Sequence, residues 1–171
     1  MSERANLLRL VDGAPRIVAD DWRIIESATQ WDGSAGAILP LELVVAQTAR
    51  VRASGRAGVW LSPTDDPGCT AEFFDWIALI GVQFPKFTDG RGYSSAVLLR
   101  TRYHWRGELR ALGDVLPDQL FALRRVGFDS FALRADRDPA AALGAFFPFS
   151  EVYQGSVHPS LPLFRRVATC T

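Results

Sequence analysis

From residue 58 to residue 147 the chain alternates short apolar runs with stretches whose apolar residues recur at helical spacing, and this rhythm constrains the fold most. Residues 58–61 read as a short strand ending in Ser62-Pro-Thr-Asp-Asp-Pro67. Residues 76–84 are almost continuously apolar, as suits a strand buried on both faces. A helix over about 93–103 places Tyr93, Ala96, Val97, Leu99 and Tyr103 on one side. Residues 108–112 form the next strand. Pro117 then opens a helix bearing Leu120, Phe121 and Leu123, with Gly127 at its C′ position. Residues 128–133 are a fourth strand, and Asp138-Pro139 starts a helix over 140–147. The alternation predicts an α/β fold with a mainly parallel four-stranded sheet, half-barrel-like or open, and right-handed crossover helices.

The first 37 residues have a different pattern. Apolar runs at 7–11, 16–19 and 22–25 are separated by Asp12-Gly13 and Asp20-Asp21, which predicts an N-terminal antiparallel β meander. Residues 30–37 are polar and Gly-rich, a loop. Pro40 stands at a first helical position, followed by Leu41, Val44, Val45, Thr48 and Val51, with Ser54-Gly55 as the stop. The expectation is a single domain: meander and loop over 1–37, α/β core over 38–147, and an irregular C-terminal arm over 148–171. The stretch from Phe147 on keeps Phe147, Phe149, Tyr153, Leu161, Leu163 and Phe164 without periodicity. Such residues need a surface to cover, the chain's own or a second copy's, which leans the expectation to a homodimer.

Composition narrows the function classes. Nineteen basic residues balance nineteen acidic ones, which removes the global electrostatic case for nucleic acid or an anionic membrane. No apolar run approaches about 18 residues, the length a membrane span needs. Residues 1–6 lack the layout of a signal peptide, so the cytoplasm is the expected compartment. Cys69 and Cys170, with His104 and His158, are too few for a disulfide framework, a zinc site or an iron–sulfur or haem centre, and no metal is expected. The basic cluster Arg100, Arg102, Arg106 and Arg110 either faces an acidic redox partner or is a solvated face paired with Glu108 and nearby acids. Eighteen of the nineteen basic residues are Arg. Lys86 is the one lysine.

In parallel α/β folds, ligands sit where strands end and loops lead into helices. Here those positions are Ser62 to Asp66, Lys86 to Arg91, Asp114 and Arg134. The loop Lys86-Phe-Thr-Asp-Gly-Arg-Gly-Tyr-Ser-Ser joins two glycines to a following helix start. With Asp89, Arg91, Gly92, Ser94, Ser95 and Arg134 as candidate binding residues and Lys86 as a further donor, it forms a candidate site for a phosphate-, sulfate- or sulfite-like anion. It is neither a P-loop nor a G-x-G-x-x-G fingerprint. The alternative is a loop whose Asp89 caps a helix and pairs with Arg91. Lys86 and Asp114 are the candidate catalytic residues, Asp114 as a general base or orienter; its alternative is a cap or ion pair near Pro117. Asp65, Asp66, Asp89 and Asp114 on four loops would make a Mg²⁺ site only if the loops converged. Asp118 and Gln119 fit capping. Trp60, Trp76, Phe146 and Phe147 fit core packing.

The run Phe84-Pro-Lys-Phe-Thr-Asp-Gly-Arg-Gly-Tyr-Ser-Ser-Ala is followed by Leu98-Leu-Arg, then Arg106-Gly-Glu-Leu-Arg-Ala-Leu-Gly-Asp-Val-Leu, Asp118-Gln-Leu and Gly127-Phe-Asp. Together with Asp20-Asp-Trp and Gly58-Val-Trp-Leu, it resembles a bacterial family of unknown function. The members are commonly described as probable oxidoreductases involved in sulfite reduction and tend to be encoded beside the assimilatory sulfite reductase. The resemblance implies an accessory protein of assimilatory sulfite reduction, with the reductase or an associated redox protein as partner. Two other classes stay open: a small-molecule enzyme binding an anion at the strand ends, and a non-catalytic structural or assembly subunit. The resemblance carries no established catalytic residue, no redox-cofactor motif is visible, and the cofactor is unknown.

Overall fold

A computed structural model describes residues 6–148 and residue 157. Eight strands form one sheet: β1 (Leu7–Val11), β2 (Ala14–Val18), β3 (Arg23–Ile24), β4 (Ala37–Pro40), β5 (Ala57–Leu61), β6 (Leu79–Phe84), β7 (Glu108–Gly113) and β8 (Ser130–Ala132). Their order is β2-β1-β8-β7-β6-β5-β4-β3. Strands β3 to β8 run parallel to one another, and β1 pairs antiparallel with both β8 and β2. The helices are α1 (Leu41–Ala46), α2 (Thr48–Ala53), α3 (Arg91–Thr101), α4 (Leu120–Arg125) and α5 (Pro139–Ala142).

The two edge strands, β2 and β3, are consecutive in the chain, with only residues 19–22 between them. Five residue steps span at most about 17 Å, whereas eight strands laid flat would put the edges roughly 34 Å apart. The sheet therefore curls until its edges approach. The register describes the same closure. Arg16 is matched through Arg9, Ser130, Arg110, Gly81 and Trp60 to Pro40. Extending the β3–β4 register by two residues brings Pro40 opposite Glu26. One circuit thus returns to the same extended segment ten residues further on, the kind of stagger that tilts the strands of a barrel.

The outward face of the sheet packs against the helices around Leu39, Val59, Ile80, Val82, Phe84, Leu109 and Phe131. The inward face carries a smaller cluster of Trp22, Ile38 and Leu79, with Trp60 against it. Beside that cluster lies a charged network around Arg110, which is 2% exposed. Its Nη1 donates to both oxygens of Asp20 at 2.8 and 2.9 Å, and its Nε and Nη2 donate to Glu108 Oε1 at 3.0 and 2.8 Å. Ser130 Oγ donates to the same Glu108 oxygen at 2.6 Å, and Arg9 approaches Oε2 at 3.4 Å. Asp20 lies in the short link between the sheet edges, so this pair ties the closing segment to the middle of the sheet.

Several expectations need correction. The sheet is mixed and eight-stranded, not a four-stranded parallel sheet with a separate meander. All four expected parallel strands are present, but β3 pairs parallel with β4 instead of completing an antiparallel meander. Strand β4 stands where a loop and a helix start were expected. It is only four residues long, and Pro40 ends it with φ −62° and ψ 146°, a ring-compatible extended geometry. The expected single helix after Pro40 breaks at Gln47 (φ −128°, ψ 35°), where the Thr48 hydroxyl donates to the Val44 carbonyl at 2.8 Å. Trp76 precedes β6 instead of lying in it, and meets Phe73 edge-on at 5.5 Å. Arg110 is buried, so it is not part of a solvated face. The 148–171 arm, apart from residues 148 and 157, lies outside the described residues.

The inward packing is tight enough to probe. A Cβ on Gly81 would sit 2.5 Å from Leu112 Cδ1 and 3.3 Å from Trp60 Cβ. Gly81→Ala is expected to destabilise by about 1–3 kcal/mol through overpacking, read from the midpoint of urea unfolding at an unchanged m-value.

Candidate functional site

The carboxyl ends of β6, β7 and β8 meet at one rim of the sheet. After β6 the chain turns through residues 85–90 into α3, and it needs a close approach to do so. Gly92 is buried directly over β6, where an added Cβ would lie 2.6 Å from Phe84 Cζ. At the end of β7, Gly113 takes φ +93°, a left-handed conformation that favours glycine, and delivers the Asp114 N–H to the Phe84 carbonyl at 2.8 Å. This positions the Asp114 side chain against the neighbouring loop.

Both Asp114 oxygens are engaged. Oδ2 accepts the Phe87 N–H at 2.9 Å, and Oδ1 accepts Arg134 Nη1 at 2.9 Å. Arg134 also donates through Nε and Nη2 to Asp136, at 2.6 and 2.9 Å. Its pKa is raised above the usual arginine value, first by Asp136 and then by Asp114. The buried Gln119 completes the clamp: its Nε2 donates to the Phe87 carbonyl at 3.1 Å while its Oε1 accepts the Leu116 N–H at 2.9 Å. Both backbone polar groups of Phe87 are therefore held by side chains from the next loop, and the residue is 49% exposed.

The structure thus brings Asp114 and Arg134 together and leaves other candidates apart from them. Asp89 accepts the Arg91 N–H at 3.1 Å, in a turn just before α3, and takes the Arg91 guanidinium at 3.0 and 2.7 Å; the N-cap itself is Gly90, with no side-chain cap bond. That guanidinium holds the Asp89 carboxyl below its usual value. No hydrogen bond or ion pair links this pair to Asp114 or Arg134 among the described residues. Ser94 is exposed, and Ser95 Oγ donates at 3.4 Å to the Arg91 carbonyl. Lys86 is exposed and has no ion pair among the described residues. Asp65 accepts the Ser62 N–H at 2.6 Å, and Asp66 caps the 3-10 turn Pro67–Phe73 through the Gly68 N–H at 2.9 Å. No group of three His, Cys, Asp or Glu among the described residues is arranged to hold a metal ion. No helix among them is long and apolar enough to cross a membrane.

Sequence reasoning missed the roles of Phe87 and Gln119. Gln119 was readable only as a first-turn residue. An apolar residue between Lys86 and Thr88 in an otherwise polar loop was the one available signal for Phe87.

Two outcomes follow from this geometry. Asp114→Ala should speed amide hydrogen exchange at Phe87 and its loop while leaving protection in β5, β6 and β7 unchanged. Asp21, Asp89 and Asp136, each held by an arginine, lie below the usual 3.8, and hydrogen bonds from Ser34 bring Asp32 to about 2. The folded state favours the ionised forms, so their contribution is complete above about pH 4 and is lost as pH falls through the lower folded values. Unfolding midpoints measured from pH 6 to pH 2 should fall with this sign.

No curated protein and no solved structure matches the chain. A family model described as "Bacterial protein of unknown function (DUF934)" matches residues 58–164, which span the strands and loops of the rim. With most of its length inside that match, the chain belongs to this family of bacterial proteins of unknown function.

Proposed function

We propose that the protein is an accessory of assimilatory sulfite reduction, acting in the cytoplasm with the reductase or its electron supply and working as a homodimer. The observation that supports this reading is how the fold uses the motif that carries the family resemblance. Residues 84–96 form the rim loop and the start of α3, and Asp114 and Gln119 hold the loop by both backbone polar groups of Phe87. Polar side chains placed this way fix Lys86 and Phe87 at one position on the surface, as a contact element requires.

A second reading rests on a separate observation. Arg91 and Arg134 are each balanced by carboxylates, whereas the Lys86 ammonium is exposed and has no ion pair among the described residues. A compact ammonium suits a point contact with a sulfate-, sulfite- or phosphate-type oxygen. In this reading the protein is a small-molecule enzyme, with Gly92, Ser94 and Ser95 at the α3 start as further donors and Asp114 orienting Arg134.

Deleting the gene and supplying single sulfur sources separates the readings. The accessory role predicts growth on sulfide and cysteine with failure on sulfite and sulfate. Unimpaired growth on every source would contradict it. Complementing the deletion with Lys86→Ala, a variant outside the core, should fail under the second reading while the purified variant keeps its melting temperature.

A further inference from the structure

Strands β1 and β2 set two arginines side by side. Arg9 and Arg16 are direct partners in the antiparallel register, so their side chains leave the sheet on the same face. Leu8, the residue before Arg9, packs in the outer core, which puts both arginines on the inward face. The same row continues through Ser130 to Arg110. Of four successive inward positions, one on each of four adjacent strands, three are arginine.

The carboxylates of this row are already committed. Asp20 gives both oxygens to Arg110, and Glu108 Oε1 accepts from Arg110 and Ser130. Glu108 Oε2 is left to Arg9, at a loose 3.4 Å. Arg16 gets neither: it is exposed and has no ion pair or hydrogen bond among the described residues. Two carboxylates against three guanidiniums leave one positive charge uncompensated. Like charges directly opposite each other on antiparallel strands destabilise the pairing, yet the fold keeps this pair with both side chains open to solvent, that of Arg9 49% exposed.

Direct partners on antiparallel strands have Cβ atoms about 4.5–5.5 Å apart, so both forks can reach one bound group. A carboxylate has two oxygens and a single guanidinium saturates it. A tetrahedral anion has oxygens for two forks. We propose that Arg9 and Arg16 bind a tetrahedral oxyanion of the sulfate or phosphate type, free or carried as an ester, between their guanidinium groups. The site is distinct from the anion reading at Lys86 and does not rest on it. Lys86 follows the carboxyl end of β6, whereas Glu108, which Arg9 approaches, opens β7 at its amino end.

The test is an amide NMR titration of the full chain with sodium sulfate and, separately, sodium phosphate, each against chloride at equal ionic strength. The expected dissociation constant is about 1 mM or lower, with shifts centred on β1 and β2. Arg16→Gln and Arg9→Gln should each weaken binding about tenfold or more, and Lys86→Ala should bind as the wild type does. In buffer free of both anions, Arg16→Gln should keep or raise the wild-type melting temperature, because it removes a like-charge contact; its loss of binding is then not a loss of fold. Methyl phosphate separates the two sources: affinity equal to that of inorganic phosphate supports the site with an esterified group, and affinity about tenfold weaker supports it with a free ion. No shifts with either anion up to about 10 mM would overturn the proposal. Binding that survives both arginine substitutions would overturn it as well, and if that binding is lost in Lys86→Ala the anion belongs to the rim.

Discussion

The four-residue link between the two edge strands is the constraint from which the rest of the architecture follows. It forces the sheet to curl, and curling gives the sheet an inside that must be filled. Six parallel strands with short crossovers place the helices outside, so the inner face has only side chains to pack it. Part of that filling is apolar, through Trp22, Ile38, Leu79 and Trp60. The rest is ionic. Arg110 sits on the middle of the wall and reaches Asp20 on the closing segment, while Glu108 and Ser130 satisfy its remaining donors. A guanidinium buried this deeply is tolerated only when carboxylates surround it, and here two do.

The same closure sets up the rim. Because β6, β7 and β8 are parallel and adjacent, their carboxyl ends lie side by side, and residues far apart in sequence can brace one another. Asp114 after β7 holds the Phe87 N–H after β6 and the Arg134 guanidinium after β8 in a single step. Gln119 adds the second hold on Phe87. The rim is thereby a rigid platform that presents an aromatic ring and a lysine to the surroundings, and its other basic side chains are neutralised.

The alternating pattern after residue 58 made the four central strands and the outer helices legible, because each apolar run is set off by turn or helix-start residues on either side. Asp138 was legible as a cap for a local reason, since it accepts the N–H two residues on, and the Asp89–Arg91 pair was legible in the same way although Gly90 and not Asp89 stands at the N-cap of α3. The elements at the β3 edge of the curled sheet were not legible. Strand β3 has two residues and pairs only with β4, and β4 has four and lies between β3 and β5, so their strand state depends on pairing with segments distant in sequence. Pro40 read as a helix start, although its ring suits the end of a strand equally well. Arg110 was misread because a charged residue at a strand position looks solvent-facing until its partners are known. Glu108 and Arg110, two apart on one strand, share a face, but Asp20 is ninety residues away and nothing local announces it. Phe87 belongs to the same class, since its clamps come from residues 114 and 119.

The central claim is that Asp20 and Arg110 together fasten the closing segment across the inside of the sheet. A double-mutant cycle measures this most directly, with Asp20→Ala, Arg110→Met and the combined variant followed by urea unfolding. The account predicts a coupling of at least about 1 kcal/mol, with Asp20→Ala costing far less once Arg110 is gone, because no buried cation is then left uncompensated. Additive costs, with a coupling under about 0.3 kcal/mol, would contradict it.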